Sequence, residues 1–389
     1  MKKTQKQKSR GSGGRSRKPQ SPQGGRDRRE QGRPGRQRRR TRHLEPHELL
    51  RSEPDERLEL MEHYDGPQDA VCEGLVVGRL GPVLIVRWDQ GSEPHEDFWR
   101  EEEVHLELGA ELPCIARGHG KAAVVGDAVH FIWEQSELGC GVVVAVELRE
   151  NALVRADALG RRPQTLAANL DRLWVVSALD PPPKSGLIDR YLVAAHANHI
   201  PVGLILNKVD LFMDVEHVEE LESLLRPYRQ LKLPILLLSA LEGDGVDELR
   251  AALRGQRSAF VGHSGVGKTS LLNALVPGLD EPVNEVSEAT GKGQHTTTTS
   301  TLYTLESGGE LIDSPGIRGF GLWGMSPIEL KDHFVEFLQY APECYFNNCV
   351  HLHEPDCAVL NALEAGEIDI DRYDAYVRIY EDLLDVGEG

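Results

Sequence analysis

No stretch of this 389-residue sequence approaches the roughly 20 consecutive apolar residues that a bilayer-spanning helix needs, and its N-terminus lacks the apolar core of a secretory signal. Both absences argue against a spanning or exported chain. They lead to the expectation of a cytoplasmic protein with no membrane partner. Cysteine is scarce, with six in all. Cys72, Cys114 and Cys140 are scattered through apolar, strand-like sequence, where a reducing compartment makes them small buried hydrophobes rather than disulfide partners. Internal repeats are lacking. Acid is nearly missing from residues 1–42, where 17 Lys and Arg face only Asp27 and Glu30. That segment carries +15, so the remainder of a chain of net charge −18 carries −33. With almost no large apolar side chains, the basic tail cannot offset its ordering entropy and reads as disordered, while its charge suits a polyphosphate backbone. Residues 43–70, acidic and interrupted by Pro46, Pro54 and Pro67, read as a linker.

What is present begins at about residue 71. Short apolar runs, GLVVGRL at 74–80, PVLIVRW at 82–88, a segment ending in ELPCIARG, DAVHFIWE at 127–134 and CGVVVAVELR at 140–149, are punctuated by Gly or Asp turns. Five strands in about 80 residues suggest a small closed barrel over 71–150; an OB-type barrel fits the count, although an SH3-like barrel reads similarly. From about residue 166 the rhythm becomes strand then helix, which builds a parallel sheet with helices on both faces. This α/β region runs to residue 322. Beyond it the chain turns more helical, with LKDHFVEFLQ at 330–339 before a cysteine cluster and RYDAYVRIYEDLL at 372–384 after it.

The α/β region carries the parts of a GTP site in an unusual order. GHSGVGKTS, formed by Gly262, His263, Ser264, Gly265, Val266, Gly267, Lys268, Thr269 and Ser270, sits between an apolar strand and an amphipathic helix. In that context the glycines let backbone N–H groups wrap phosphates, Lys268 reaches the β- and γ-phosphates as a catalytic cation, and the Thr269 hydroxyl ligates Mg²⁺. Upstream rather than downstream stands the tetrad Asn207, Lys208, Val209 and Asp210, at the end of another apolar strand. Asp210 can accept both guanine N1–H and the exocyclic amine, a pattern adenine does not offer, with Asn207 facing the O6/N7 edge and the Lys208 stem along the ring. Ser239 and Ala240 end the next strand, and the Ala240 N–H is expected at guanine O6. Last comes DSPG, in which Asp313 partners Mg²⁺ through water and the Gly316 N–H senses the γ-phosphate.

The threonine run 296–299 lies where GTPases keep the threonine that closes over Mg²⁺, although four threonines also read as plain strand. Many GTPases orient the attacking water with a glutamine directly after the DxxG turn. Here that residue is Ile317. The nearest substitute is His295, and slow intrinsic hydrolysis with a need for an activating partner follows. Near the C-terminus, Cys344-x4-Cys349-x-His351-x5-Cys357 supplies three thiolates and an imidazole at the spacing of one structural Zn²⁺ site. His353 is a rival fourth ligand.

The barrel, the motif order and the cysteine spacing together resemble the small-ribosomal-subunit-dependent GTPase A family, RsgA or YjeQ. The resemblance spans roughly residues 72–385 and includes VVGDAVHF, LAANLDRLWVVSAL, LIDRYLVAA, NKVDL, GQHTTTTSTLYTL and LIDSPGIRGFGL. It implies an OB-type barrel, a circularly permuted P-loop GTPase domain at 151–322 and a helical zinc-binding region at 323–389. It also implies a GTP hydrolase, stimulated by the small ribosomal subunit and its rRNA, that releases other assembly factors; a monomer is expected. By the same resemblance His295 serves in hydrolysis, and Thr296 and Thr297 follow it, with Thr297 the Mg²⁺ ligand and a catalytic residue. Gln294 stands where the family often has arginine. The rival readings are an RNA-binding scaffold using GTP only as a switch, and a GTPase of a tRNA-modifying system. Because the segment after DSPG runs toward the cysteine cluster, the γ-phosphate is expected to set the pose of the C-terminal region relative to the barrel.

Overall fold

The computed structural model describes residues 71–91, 107–117, 122–133, 141–156, 163–182, 186–211, 215–279, 299–314, 317, 322 and 324–387. All fall in one compact unit, Leu44–Gly389. The first five strands are β1 (Val71–Leu80), β2 (Val83–Gln90), β3 (Glu111–Ala116), β4 (Ala128–Trp133) and β5 (Gly141–Val146). In β2 the period-2 pattern puts Leu84, Val86 and Trp88 inside, as a half-buried strand requires. Pairing runs β1–β2–β3–β5–β4 and returns from β4 to β1, with β3 and β5 parallel at Cys114↔Gly141. This closed five-strand order selects the OB-type barrel over the SH3-like alternative. Its tight coiling needs Gly74, where a Cβ would lie 2.5 Å from the Arg87 carbonyl oxygen beside an irregularity in the β1–β2 register.

A hairpin of β6 (Ala152–Ala156) and β7 (Pro163–Ala168) follows. Next come β8 (Arg172–Ser177), α1 (Leu187–Ala197), β9 (Val202–Leu206), α2 (Val215–Gln230), β10 (Ile235–Leu237), α3 (Val246–Leu253), β11 (Arg257–Val261), α4 (Lys268–Leu275), β12 (Thr299–Thr304) and β13 (Glu310–Asp313). The strands lie in the order β10-β9-β8-β11-β13-β12, all parallel except β12. Both faces of this sheet are covered, which is why its strands read as unbroken apolar runs. Leu173, Val175, Leu204 and Val261 pack toward Tyr191 and Leu192 of α1 and Leu225 of α2, whereas Trp174, Val176, Ile205 and Phe260 pack toward Leu249 of α3 and Leu272 of α4.

The barrel and the parallel sheet are continuous. The end of β1 leaves the barrel to pair antiparallel with β12, Gly78↔Thr301 through Leu80↔Thr299. An ion-pair bridge reinforces the seam: Glu310 on β13 accepts from Arg87 of β2 at 3.0 Å and from Arg257 of β11 at 2.7 Å.

The C-terminal region docks elsewhere, on α1 and α2. It contains α5 (Ala358–Glu364) and α6 (Ile370–Gly387) around a core of Leu330, Phe334, Phe337, Val359, Tyr376 and Ile379, which Val193 of α1 joins. Residues 330–339 are not the helix their apolar spacing suggests. A 3-10 turn, Leu330–His333, is followed by successive turns that keep the same side chains inward. Buried Arg372 of α6 clamps the contact, donating to Asp189 of α1 at 2.6 Å and to Glu336 at 2.6 Å, while the Tyr228 hydroxyl of α2 also donates to Asp189. Removing one partner of a buried pair leaves a bare charge, so Arg372→Met should destabilise the protein by about 3–5 kcal/mol in denaturant unfolding. A loss below about 1 kcal/mol would show that the clamp contributes little. Among the described residues no helix is long and apolar enough to cross a membrane.

Candidate functional site

Ligands of open α/β sheets bind beyond the carboxyl ends of the strands, where the strand order reverses. Here that point lies between β8 and β11. The glycine loop leaves β11 through Gly262 (φ +148°), Gly265 (φ +87°) and Gly267 (φ +91°), conformations that L side chains rarely adopt. Space enforces two of these glycines as well, because a Cβ on Gly262 would sit 2.1 Å from the Val176 carbonyl oxygen and one on Gly267 2.2 Å from Asn207 Nδ2. The loop opens into the N-terminus of α4, whose outward N–H groups and dipole favour anions as at any helix start. Lys268 Nζ lies over the loop, donating to the carbonyls of Gly262 at 2.8 Å and His263 at 2.6 Å. Thr269 and Ser270 are half-buried, Ser264 is exposed, and Val266 is 2 % exposed within the core.

One side chain joins three motifs that are far apart in sequence. Asn207 is 1 % exposed; its Nδ2 donates to the Val266 carbonyl at 2.9 Å, and its Oδ1 accepts from the Ala240 N–H at 3.0 Å. Base tetrad, phosphate loop and Ser239-Ala240 turn are thereby gathered at one place. The sequence reading assigned Asn207 and the Ala240 N–H to the base alone. In the structure the Asn207 amide braces the protein, joining the phosphate loop to the Ala240 turn. Lys208 adopts φ +65° and ties the tetrad to the bend that follows β8, its Nζ donating to the Asp180 carbonyl at 2.8 Å. Val209 and Asp210 form the 3-10 turn Val209–Leu211. Asp210 Oδ1 is buried without a hydrogen-bond partner, which costs free energy unless a ligand supplies the donor. Buried Ser239 accepts from the Glu242 N–H through Oγ at 3.1 Å, holding the turn that presents Ala240.

Asp313 ends β13 opposite Thr301, and Ser314 Oγ lies 2.7 Å from Ser300 Oγ of β12. Ile317 is 2 % exposed and belongs to the core, so the position after the DxxG turn faces inward. Gly316, His295, Thr296 and Thr297 lie outside the described residues.

In the C-terminal region the Cys344, Cys349 and Cys357 sulfurs and a nitrogen of His351 all lie within 4.8 Å of one another. His353 is exposed and outside this group, so it is His351 that the fold brings to the cysteines. His351 Nδ1 is 3.6 Å from Cys344 Sγ and 3.4 Å from Cys357 Sγ, and the two sulfurs are 3.9 Å apart. Tetrahedral bonds of about 2.3 Å to sulfur and 2.0–2.1 Å to nitrogen give edges of about 3.8 Å and about 3.6 Å, so the four donors fit a metal. Burial pushes the Cys349 thiol up to about 12, with the neighbouring sulfurs adding to it, and burial together with Lys331 lowers His351 toward its neutral, ligating form.

The scaffold of this cluster was not evident from spacing. The Tyr373 hydroxyl donates to the His351 carbonyl at 2.8 Å, and Lys331 Nζ donates to the Cys349 carbonyl at 2.9 Å. Glu354 accepts the N–H groups of Val350 at 2.6 Å, Leu352 at 3.0 Å and His353 at 3.2 Å. Burial alone would raise the Glu354 pKa, but these bonds hold it at about 2. The signal available beforehand was the acid set directly among the ligands.

A parallel sheet whose base-reading strands precede its phosphate-loop strand, with the motifs gathered at one switch point, defines a circularly permuted GTPase preceded by an OB-type barrel. The RsgA GTPase family model matches residues 146–323. "Small ribosomal subunit biogenesis GTPase RsgA" of Pseudomonas aeruginosa is 44% identical over 312 residues, covering 80% of this chain and 89% of that one. The protein of the same name from Chlorobaculum parvum is 43% identical over 267 residues, covering 67% and 85%. Among solved structures, YjeQ from Thermotoga maritima superposes with a TM-score of 0.63 at 32% identity, covering 81% of this chain and 99% of its own. YloQ, described as a circularly permuted GTPase, gives 0.60 at 25% identity, covering 83% and 97%. The chain belongs to the RsgA GTPase family.

Proposed function

We propose that this protein hydrolyses GTP during maturation of the small ribosomal subunit, that the subunit stimulates the reaction, and that hydrolysis releases other assembly factors. The observation that carries the nucleotide reading is the Asn207 junction beside the unpartnered Asp210 carboxylate oxygen. Asp210 Oδ1 takes a guanine donor, the loop of residues 262–270 and the α4 N-terminus take the phosphates, and Lys268 swings from the loop carbonyls to the β- and γ-phosphates. Thr269, Thr297 and Asp313 would hold Mg²⁺, which would neutralise phosphate charge, and the Gly316 N–H would meet the γ-phosphate. The inward-facing Ile317 leaves water positioning to another group, and His295 takes that role. A Zn²⁺ on Cys344, Cys349, His351 and Cys357 fixes the C-terminal region; when bound it supplies structure, since all four positions are taken by protein.

The name borne by the relatives supports the small subunit and its rRNA as partner. The +15 tail, residues 1–42, adds salt-sensitive affinity for RNA. We assign the barrel to 71–150, the GTPase domain to 151–322 and the metal region to 323–389, in a cytoplasmic monomer. Because β12 leaves the threonine run and pairs with β1, the barrel is the element that answers to the γ-phosphate, whereas the C-terminal region is held to the base-reading half through Arg372. Purified small subunits should therefore pellet the protein at least about 10-fold more tightly with a non-hydrolysable GTP analogue than with GDP, a coupling of ordinary allosteric size. Equal pelleting in the two states would contradict nucleotide-gated binding.

A further inference from the structure

A second group of metal-ligating side chains lies away from both sites described above. His196, in the last turn of α1, and His333, at the end of the 3-10 turn Leu330–His333, meet across the seam between the GTPase sheet's helices and the C-terminal region. Their Nδ1 atoms are 3.1 Å apart, with ring centroids 5.4 Å apart and planes at 67°. We propose that His196 and His333 form a transition-metal site that clips the C-terminal region to α1, taking a borderline divalent ion such as Zn²⁺, Ni²⁺ or Cu²⁺.

The geometry is nearly that of two ligands on one ion. Two nitrogens bound at 2.0–2.1 Å with a tetrahedral angle lie about 3.3 Å apart. The chemistry agrees, since neutral imidazole suits these ions and burial of both rings disfavours their charged form. Burial lowers the pKa of each, and His196 lowers that of His333 further. The groups facing the pair are His199 beyond the end of α1 and Asp332 and Glu329 from the turn. Two acids and the negative end of α1 favour an added cation. Without metal, one Nδ1–H donates to the other Nδ1 lone pair. To bind an ion, the donor ring moves that proton to Nε2, so both Nδ1 lone pairs become ligands with no net proton released. Among the described residues no third Cys, His, Asp or Glu joins the pair at ligand spacing, so water completes the shell and the ion exchanges readily. The clip thus responds to free metal, unlike the cysteine cluster.

The test is equilibrium dialysis of the full-length, untagged protein against Zn²⁺ at pH 7.5, with thermal unfolding recorded in parallel. Two Zn²⁺ per chain are expected, together with a midpoint that continues to rise with Zn²⁺ after the first equivalent. His196→Gln and His333→Gln should each bind one Zn²⁺ and lose the second rise, while His353→Ala, which removes an exposed histidine, keeps both. Retention of the first equivalent and of GTP turnover reports that each variant is folded. One Zn²⁺ in the unaltered protein, or a second that survives both substitutions, would leave the pair as a hydrogen bond only and overturn the proposal.

Discussion

Asp210→Asn is expected to weaken GDP and GTP binding by about 10²–10⁴-fold. Each hydrogen bond to a charged acceptor contributes about 1.5–3 kcal/mol, two are at stake, and every 1.4 kcal/mol is about tenfold in affinity. The substitution also turns an amide donor toward guanine's own donors. Nucleotides of xanthine, which present a carbonyl where guanine has its amine, should regain affinity in the variant. Fluorescent-nucleotide titration with both bases checks this. The variant should fold normally, because Asp210 Oδ1 has no partner to lose within the protein. Unchanged guanine affinity, or loss of both bases from a folded protein, would remove Asp210 from the base site.

Removing the metal should have the larger effect on stability. Structural Zn²⁺ contributes about 10–16 kcal/mol of binding free energy that is also folding free energy. Chelation, or Cys357→Ser, is therefore expected to unfold the C-terminal region selectively, leaving the barrel and parallel sheet cooperative in calorimetry. Cys357 both belongs to the cluster that fits a metal and caps α5, its sulfur accepting from the Leu360 N–H at 3.5 Å, so α5 should fray first. Metal affinity should fall as pH drops, because protons compete for thiols that burial already holds in their neutral form. Hydrogen exchange over residues 344–369 reads the outcome directly. Unaltered protection after complete chelation would show that the core around Phe334, Phe337 and Tyr376 suffices alone.

Much of the site was legible because its chemistry is local. Gly262, Gly265 and Gly267 are demanded by backbone conformation, the tetrad ends a strand where such sheets bind ligands, and metal spacing is a property of one short segment. The strands of barrel and sheet were legible through alternation and unbroken apolar runs. What was not legible is what joins distant segments. The pairing of β1 with β12 matches residues more than 200 positions apart, and no local pattern encodes that register. The bonds of Asn207 to Val266 and Ala240 exist only after folding, so its bracing role was not legible. The β6–β7 hairpin was missed because ALVRA and PQTLAA are short, and β7 opens on a proline that weakens a strand signal. Residues 330–339 carry apolar side chains at helical spacing, yet Lys331 is drawn to the Cys349 carbonyl and Glu336 to Arg372, and packing overrides propensity.

These joints bear on the proposed route from phosphate to partner. The segment after DSPG leads in sequence to the metal region, but that region is fastened to α1 and α2, on the base-reading half. The barrel shares a ladder with the strand that follows the threonine run. Under the proposed function, hydrolysis would act through β12 on the barrel, with the C-terminal region held to α1 by Arg372.

The most direct measurement is steady-state nucleotide turnover with and without purified small ribosomal subunits, using GTP and ATP side by side. Slow GTP hydrolysis by the protein alone, a rise of about 10-fold or more on adding subunits, and no ATP turnover are predicted. Equal rates with and without subunits, or equal use of ATP, would contradict the account.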